Sequence, residues 1–207
     1  MFVQDADTTC LRQGDVLKDI PYPLLSSQEV AILGRFVEGP DSPRPLAAIA
    51  RVHRNDPNWL TAQVPVRLSY CCVASQCCDL EPRHEKIRMP AFVVARLIQV
   101  PAQIIADTQR LASLRANKDP RVQNDPGFLN LFHVSAHDCI GSQEWVVDFN
   151  QLLSIPSSEF PGILGRKILQ MNDRSRVKFK IKFAASLARI TEDERAAGLE
   201  NPWAAEE

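Results

Sequence analysis

Hydrophobic positions fall mostly in short runs with strand character, separated by breaks rich in proline, glycine and asparagine. Gly14-Asp15 predicts a turn, and Val16, Leu17 and Ile20 begin a short strand that Pro21 and Pro23 end. Val30 to Glu38 is β-compatible, and Gly39 to Pro45, with three prolines and a glycine, reads as a surface loop. Leu46 to His53 and Leu60 to Leu68 predict two further strands about a turn at residues 55–58. Ser69 to Ser75 is apolar without alternation, which predicts a buried central strand, and Met89 to Val100 predicts another.

From Ala102 the period changes. Ile104, Ile105, Leu111 and Leu114 fall on one side and Arg110 and Arg115 on the other, which predicts a helix over 102–117. Asp119 to Gly127 reads as a loop. Phe128 to Val134 and Glu144 to Phe149 predict a hairpin-like pair, and Ile163 to Met171 a last strand. The segment Val177 to Phe183 alternates at strand period. It nevertheless runs without a breaker into Ala184 to Ile190, and Asn172-Asp173 is a good cap, so a helix over about 173–190 is expected. Together these elements predict an α+β fold: a strongly bent, mostly antiparallel sheet or SH3-like barrel with two helices. One domain over 1–190 and an acidic tail over 191–207 are expected.

A chain of 207 residues, 45% hydrophobic and 24% charged, can bury a full core and is too apolar for general disorder. Its net charge of -1 gives no global attraction to nucleic acid or to an anionic membrane, so any such partner needs a local patch. The first ten residues lack the basic and apolar regions of a secretory signal. No run approaches the roughly 20 apolar residues of a membrane helix. The expectation is a cytoplasmic protein with reduced thiols and no membrane partner.

Four of the six cysteines crowd into one segment, Cys71, Cys72, Cys77 and Cys78, and three readings apply. The first is packing, since a free cysteine behaves as a small hydrophobe. In the second, Cys72 and Cys77 at C-x4-C spacing join His137 and Cys139, from the series His133, His137, Cys139, around a zinc ion. In the third, Cys78 at a strand end, beside Asp79, is a nucleophile activated by His84, His133 or His137.

Gln13-Gly14-Asp15-Val16 and Val73-Ala74-Ser75-Gln76-Cys77-Cys78-Asp79-Leu80 resemble a pattern in uncharacterised bacterial proteins, a G-D-[IV] turn and a strand ending in S-Q-x-C-D-[LI]. The likeness continues more loosely through Val146 to Phe149 and the segment around Arg189. More distantly, Gly14-Asp15-Val16, Arg67 and Val73-Ala74-Ser75 are similar to the PemK/MazF-like toxins, bent-sheet barrels that cleave RNA. That similarity implies an RNase-type site of Arg67 with Ser75 or Gln76. The chain departs from the toxin pattern in its wide motif spacing, its length, and the absence of proline after Arg67.

Between Arg166 and Lys182 stand seven cations, Arg166, Lys167, Arg174, Arg176, Lys178, Lys180 and Lys182, with Asp173 the single acid. Such a run can contact phosphates, or it can be a solvated face paired with the acidic tail. The leading expectation is a bacterial protein that binds or processes RNA or DNA, in a defence or toxin-like setting. The alternatives are a zinc- or thiol-bearing interaction module and a plain protein-binding subunit.

Overall fold

The computed structural model describes residues 1–23, 66–76, 80, 89–119 and 128–188. The strands are β1 (Val16–Pro23), β2 (Val66–Val73), β3 (Ala91–Gln99), β4 (Leu131–Val134), β5 (Trp145–Pro156) and β6 (Lys167–Leu169). The helices are α1 (Ala102–Ile105), α2 (Thr108–Ala116), α3 (Phe160–Leu164) and α4 (Asp173–Leu187). The strand order is β4-β5-β3-β2-β1-β6, and the pairs β1–β6, β2–β3, β3–β5 and β4–β5 are antiparallel. This is the expected α+β class. Of the two forms considered, sheet and barrel, the chain builds the open sheet.

Contacts divide the chain into two compact units, Met1–Lys18 with Tyr70–Glu207, and Asp19–Ser69. Strands β1 and β2 each cross that division in sequence. The second unit is described only at 19–23 and 66–69, and the strands expected at Val30–Glu38 and Leu46–His53 lie outside the described residues.

In the larger unit both faces of the sheet are covered. On one face Cys72, Ala95, Leu97, Phe132, Val147 and Phe149 pack with Leu169, Met171 and Phe179 of α4. The Phe179 ring meets Phe132 and Phe149 edge-on at 5.2 and 5.3 Å, and Phe183 adds a third contact to Phe149. On the other face Val146 packs under Val100, Ile104, Leu111 and Leu114, the apolar side of α1 and α2. That double cover explains why Trp145 to Phe149 are all buried, whereas the rest of β5 alternates as a one-sided strand does.

Three expectations come out differently. The separate strands expected over 60–68 and 69–75 join in one strand, β2, with residues 60–65 outside the described residues. The helix over 102–117 is interrupted at Asp107, whose side chain accepts hydrogen bonds from Gln109 N and Arg110 N and so caps a new helix, α2. The strand over 163–171 shortens to three residues, because Pro161 in the first turn and Gly165 at the C-cap enclose α3. By contrast α4 forms where a helix was expected. Asn172 accepts from Ser175 N at 2.9 Å, and the strand-like alternation from Val177 to Phe183 yields to helix. β1 runs through Pro21 and ends at Pro23.

An open sheet has two edges to protect, and both edge strands are short. At β4, Asn117 ends α2 in a left-handed conformation, and its amide bonds both ways to the His133 backbone at 2.8 Å. One side chain thus substitutes for a neighbouring strand. Beyond β6, Phe2 bridges Met171, and Val3 N donates to Gln170 O.

Candidate functional site

The seven cations from Arg166 to Lys182 separate into internal and external groups. Lys167 turns inward from β6 and is fully enclosed. Its ammonium meets Asp15 Oδ2 at 2.7 Å and donates to Asp7 O at 2.5 Å and to Cys10 O and Gln170 Oε1 at 3.0 Å. It therefore ties the N-terminal segment to the sheet. Burial pushes the Asp15 carboxyl up, and the adjoining Lys167 pulls it back. Arg166 lies in the turn before β6, where its carbonyl accepts from Lys18 N.

The other five stand on α4. Arg176 pairs with Asp173 at 2.7 Å, and Lys180 is half-buried. Arg174 and Lys178 are exposed, while Lys182 is 95% buried, since only 5% of its surface is accessible. Arg174, Lys178 and Lys182 are spaced i, i+4, i+8. Each step advances about 40° around a 3.6-residue helix, so the three form one ridge. The ridge starts on the solvent side and ends one turn from Phe179, the residue of α4 that packs on the sheet. None of the three is ion-paired among the described residues. Loss of hydration pulls the Lys182 ammonium down to about 8. The i, i+4, i+8 spacing was available in the sequence. The burial of its last member was not, because a lysine at a core position breaks the apolar pattern.

The two motifs of the bacterial resemblance, far apart in sequence, meet in the fold. Gly14 N donates to Val73 O at 2.8 Å, Val73 N to Asp15 O at 2.9 Å, and Gln13 Nε2 to Ala74 O at 2.7 Å. Gly14 has φ +92°, and a Cβ there would lie 2.9 Å from Met171 Sδ, so glycine is required twice over. Of the RNase-type residues, Ser75 is buried, and its hydroxyl accepts from Val93 N at 2.8 Å. Gln76 and Arg67 are exposed, and Arg67 belongs to the smaller unit. Cys78 and Asp79 lie outside the described residues.

The cysteines separate too. Cys71 and Cys72 are fully buried; burial pushes Cys71 up to about 12 and Cys72 well above the usual thiol range. At neutral pH both are protonated packing groups. Cys77 lies outside the described residues; in the turn after β4 Cys139 is exposed, and His137 is half-buried with its ring edge-on to Phe2 at 5.5 Å. Cys72, His137 and Cys139 do not come together, and no group of three or more His, Cys, Asp or Glu among the described residues could hold a metal ion.

Two polar clusters had no signal in the sequence. His133 Nε2 lies 2.6 Å from Glu144 Oε2, and Glu144 also pairs with Arg115, which holds its carboxyl below the usual range. At the centre of the sheet, Cys71, Arg96 and Asp148 stand opposite one another on successive strands. There β5 loops out Phe149, Asn150 and Gln151 relative to β3. Gln151 joins the two charges, accepting from Arg96 at 3.1 Å and donating to Asp148 at 2.8 Å. No protein-family model matches the chain, and no curated protein matches it.

Proposed function

We propose that the protein binds nucleic acid, with the Arg174–Lys178–Lys182 ridge of α4 contacting phosphates. The observation that carries the reading is the alignment of three cations without ion-pair partners along one side of a helix. The neighbouring cations Lys167 and Arg176 are engaged by Asp15 and Asp173. With a net charge of -1, the molecule offers no general attraction, so binding rests on local charge. Arg174 and Lys178 approach a phosphate backbone from solvent, an interaction that is sequence-independent. The test is fluorescence anisotropy with a labelled single-stranded RNA at low salt. The double variant Arg174→Ala, Lys178→Ala should weaken binding about tenfold or more. Equal binding by the wild type and the double variant would remove the ridge from the account.

A second reading follows from the same helix. Val177 and Leu187 are 51% and 62% exposed, and Ile181, one turn on from Val177, is half-buried. That mixture of aliphatic and basic groups also suits a non-catalytic docking surface for a protein. Substituting Val177→Ser and Leu187→Ser separates the two, since RNA affinity held by phosphate contacts should not change.

A further inference from the structure

We infer that the edge of β5 at Leu152–Pro156 is an interface for a second copy of this chain, the two β5 strands pairing antiparallel about a two-fold axis at Leu153. The β4 ladder accompanies β5 only through Asp148, and the last bond on that side runs from Phe149 N to Asn130 O. Beyond the excursion at Phe149 to Gln151, β3 continues beside Leu152 to Pro156. No strand among the described residues lies on the opposite side. Elsewhere the sheet edges are covered: Asn117 bonds to β4, and the N-terminal segment follows β6. This stretch of β5 has no such cover among the described residues, and Leu152, Ser154 and Pro156 are exposed.

The direction of each backbone group follows from the ladder. Val93 O accepts from Ala74 N and Ser75 N, and Val93 N donates to Ser75 Oγ, so Val93 faces β2. Successive residues of an antiparallel strand bond to opposite sides, so Phe92 and Val94 face β5. Their partners Ile155 and Leu153 face back, and Ser157 N, donating to Pro90 O, keeps the same phase. Leu152 and Ser154 therefore turn N–H and C=O away from β3, where they meet no partner among the described residues. The edge is bounded at both ends: Asn150 N is taken by Asp148 Oδ1, and Pro156 has no N–H.

Two residues with outward groups, one on each side of Leu153, make a pattern that is its own complement. A two-fold axis at Leu153 sets Leu152 opposite Ser154 of the second copy, and Ser154 opposite its Leu152. Each pair exchanges two hydrogen bonds, so the outward donors and acceptors of both residues are all used. Asn150 to Pro156 carries no charge, so no like charges meet at the axis and none selects a charged peptide instead. Leu152, 38% exposed, and its counterpart become diagonal neighbours on one face of the joined sheet, where pairing covers them.

The test follows association and amide exchange together, on the full chain over a rising concentration series. Sedimentation velocity should show the wild type passing from monomer to dimer. The Leu152 and Ser154 amides should gain protection from hydrogen exchange in step. Two edge variants follow, each checked for folding by thermal melts. Ser154→Pro removes an outward N–H without touching the bonds to β3, and Leu152→Lys brings two ammonium groups together near the axis. Each should weaken the dimer about tenfold or more, whereas Val177→Ser on α4 should leave it unchanged. A chain that stays monomeric throughout, a dimer equally tight in both edge variants, or one lost in Val177→Ser would overturn the inference. So would protection of both amides in the monomer, which would place another part of the same chain on this edge.

Discussion

Two lysines show how differently one residue type is used in this fold. Lys167 is buried against Asp15, and removing either charge leaves the other stranded. Lys167→Met should therefore destabilise the protein by about 3–5 kcal/mol, and the double variant Asp15→Asn, Lys167→Met should recover much of that loss in chemical denaturation. Lys182 is buried without a counter-charge and behaves in the opposite sense. Its proton is held less tightly in the folded state, with a pKa of about 8, than in the unfolded chain. The penalty is present in full below pH 8, declines as pH rises toward the unfolded value, and vanishes above it. Lys182→Met should therefore stabilise the fold by roughly 1–3 kcal/mol at pH 7, a gain that shrinks to nothing above about pH 10.5. The buried thiols have the contrary sign, since Cys71 and Cys72 hold their protons in the fold well beyond the unfolded thiol range. Their contribution is complete below about pH 8.5 and is lost as pH rises above it. Melting curves of the wild type and a Cys71→Ala variant across that range should converge as pH increases.

Among the elements, α4 was legible and the α1–α2 pair only partly so. Asn172 supplied a cap, and no breaker followed, so the strand-like alternation of Val177 to Phe183 could be outweighed. Asp107 is an equally good cap, but it stands inside a continuous helical period, and there the period was the louder signal. Asn117 had no signal at all, because its role is set by a strand that follows far along the chain. Asn117→Ala removes both bonds to the His133 backbone and a residue suited to left-handed φ. The expected cost is about 1–3 kcal/mol. Hydrogen exchange should then report faster exchange at His133 N without a change in the centre of β3. The three-residue excursion of β5 was also invisible, since nothing in Asp148 to Gln151 departs from ordinary strand composition.

At the scale of the whole molecule, the sequence carried the fold class and the presence of two motifs, but not their meeting. The turn at Gly14 and the end of β2 are joined by three hydrogen bonds that only the assembled sheet creates. Gly14→Ala should accordingly lower stability by about 1–3 kcal/mol, from strain at positive φ and contact with Met171. The cation run was legible as composition and illegible as a surface, because two of its seven members, Lys167 and Lys182, are buried. What remains outside, with Lys182 at its end, is a short track on an otherwise near-neutral protein. The measurement that bears most directly on it is the dependence of RNA affinity on salt. Three phosphate contacts predict a slope of about −2 in the logarithm of the binding constant against that of salt concentration. For Arg174→Ala, Lys178→Ala it should fall to about −0.7. Affinity independent of salt, or the same slope in both proteins, would contradict phosphate binding by this helix.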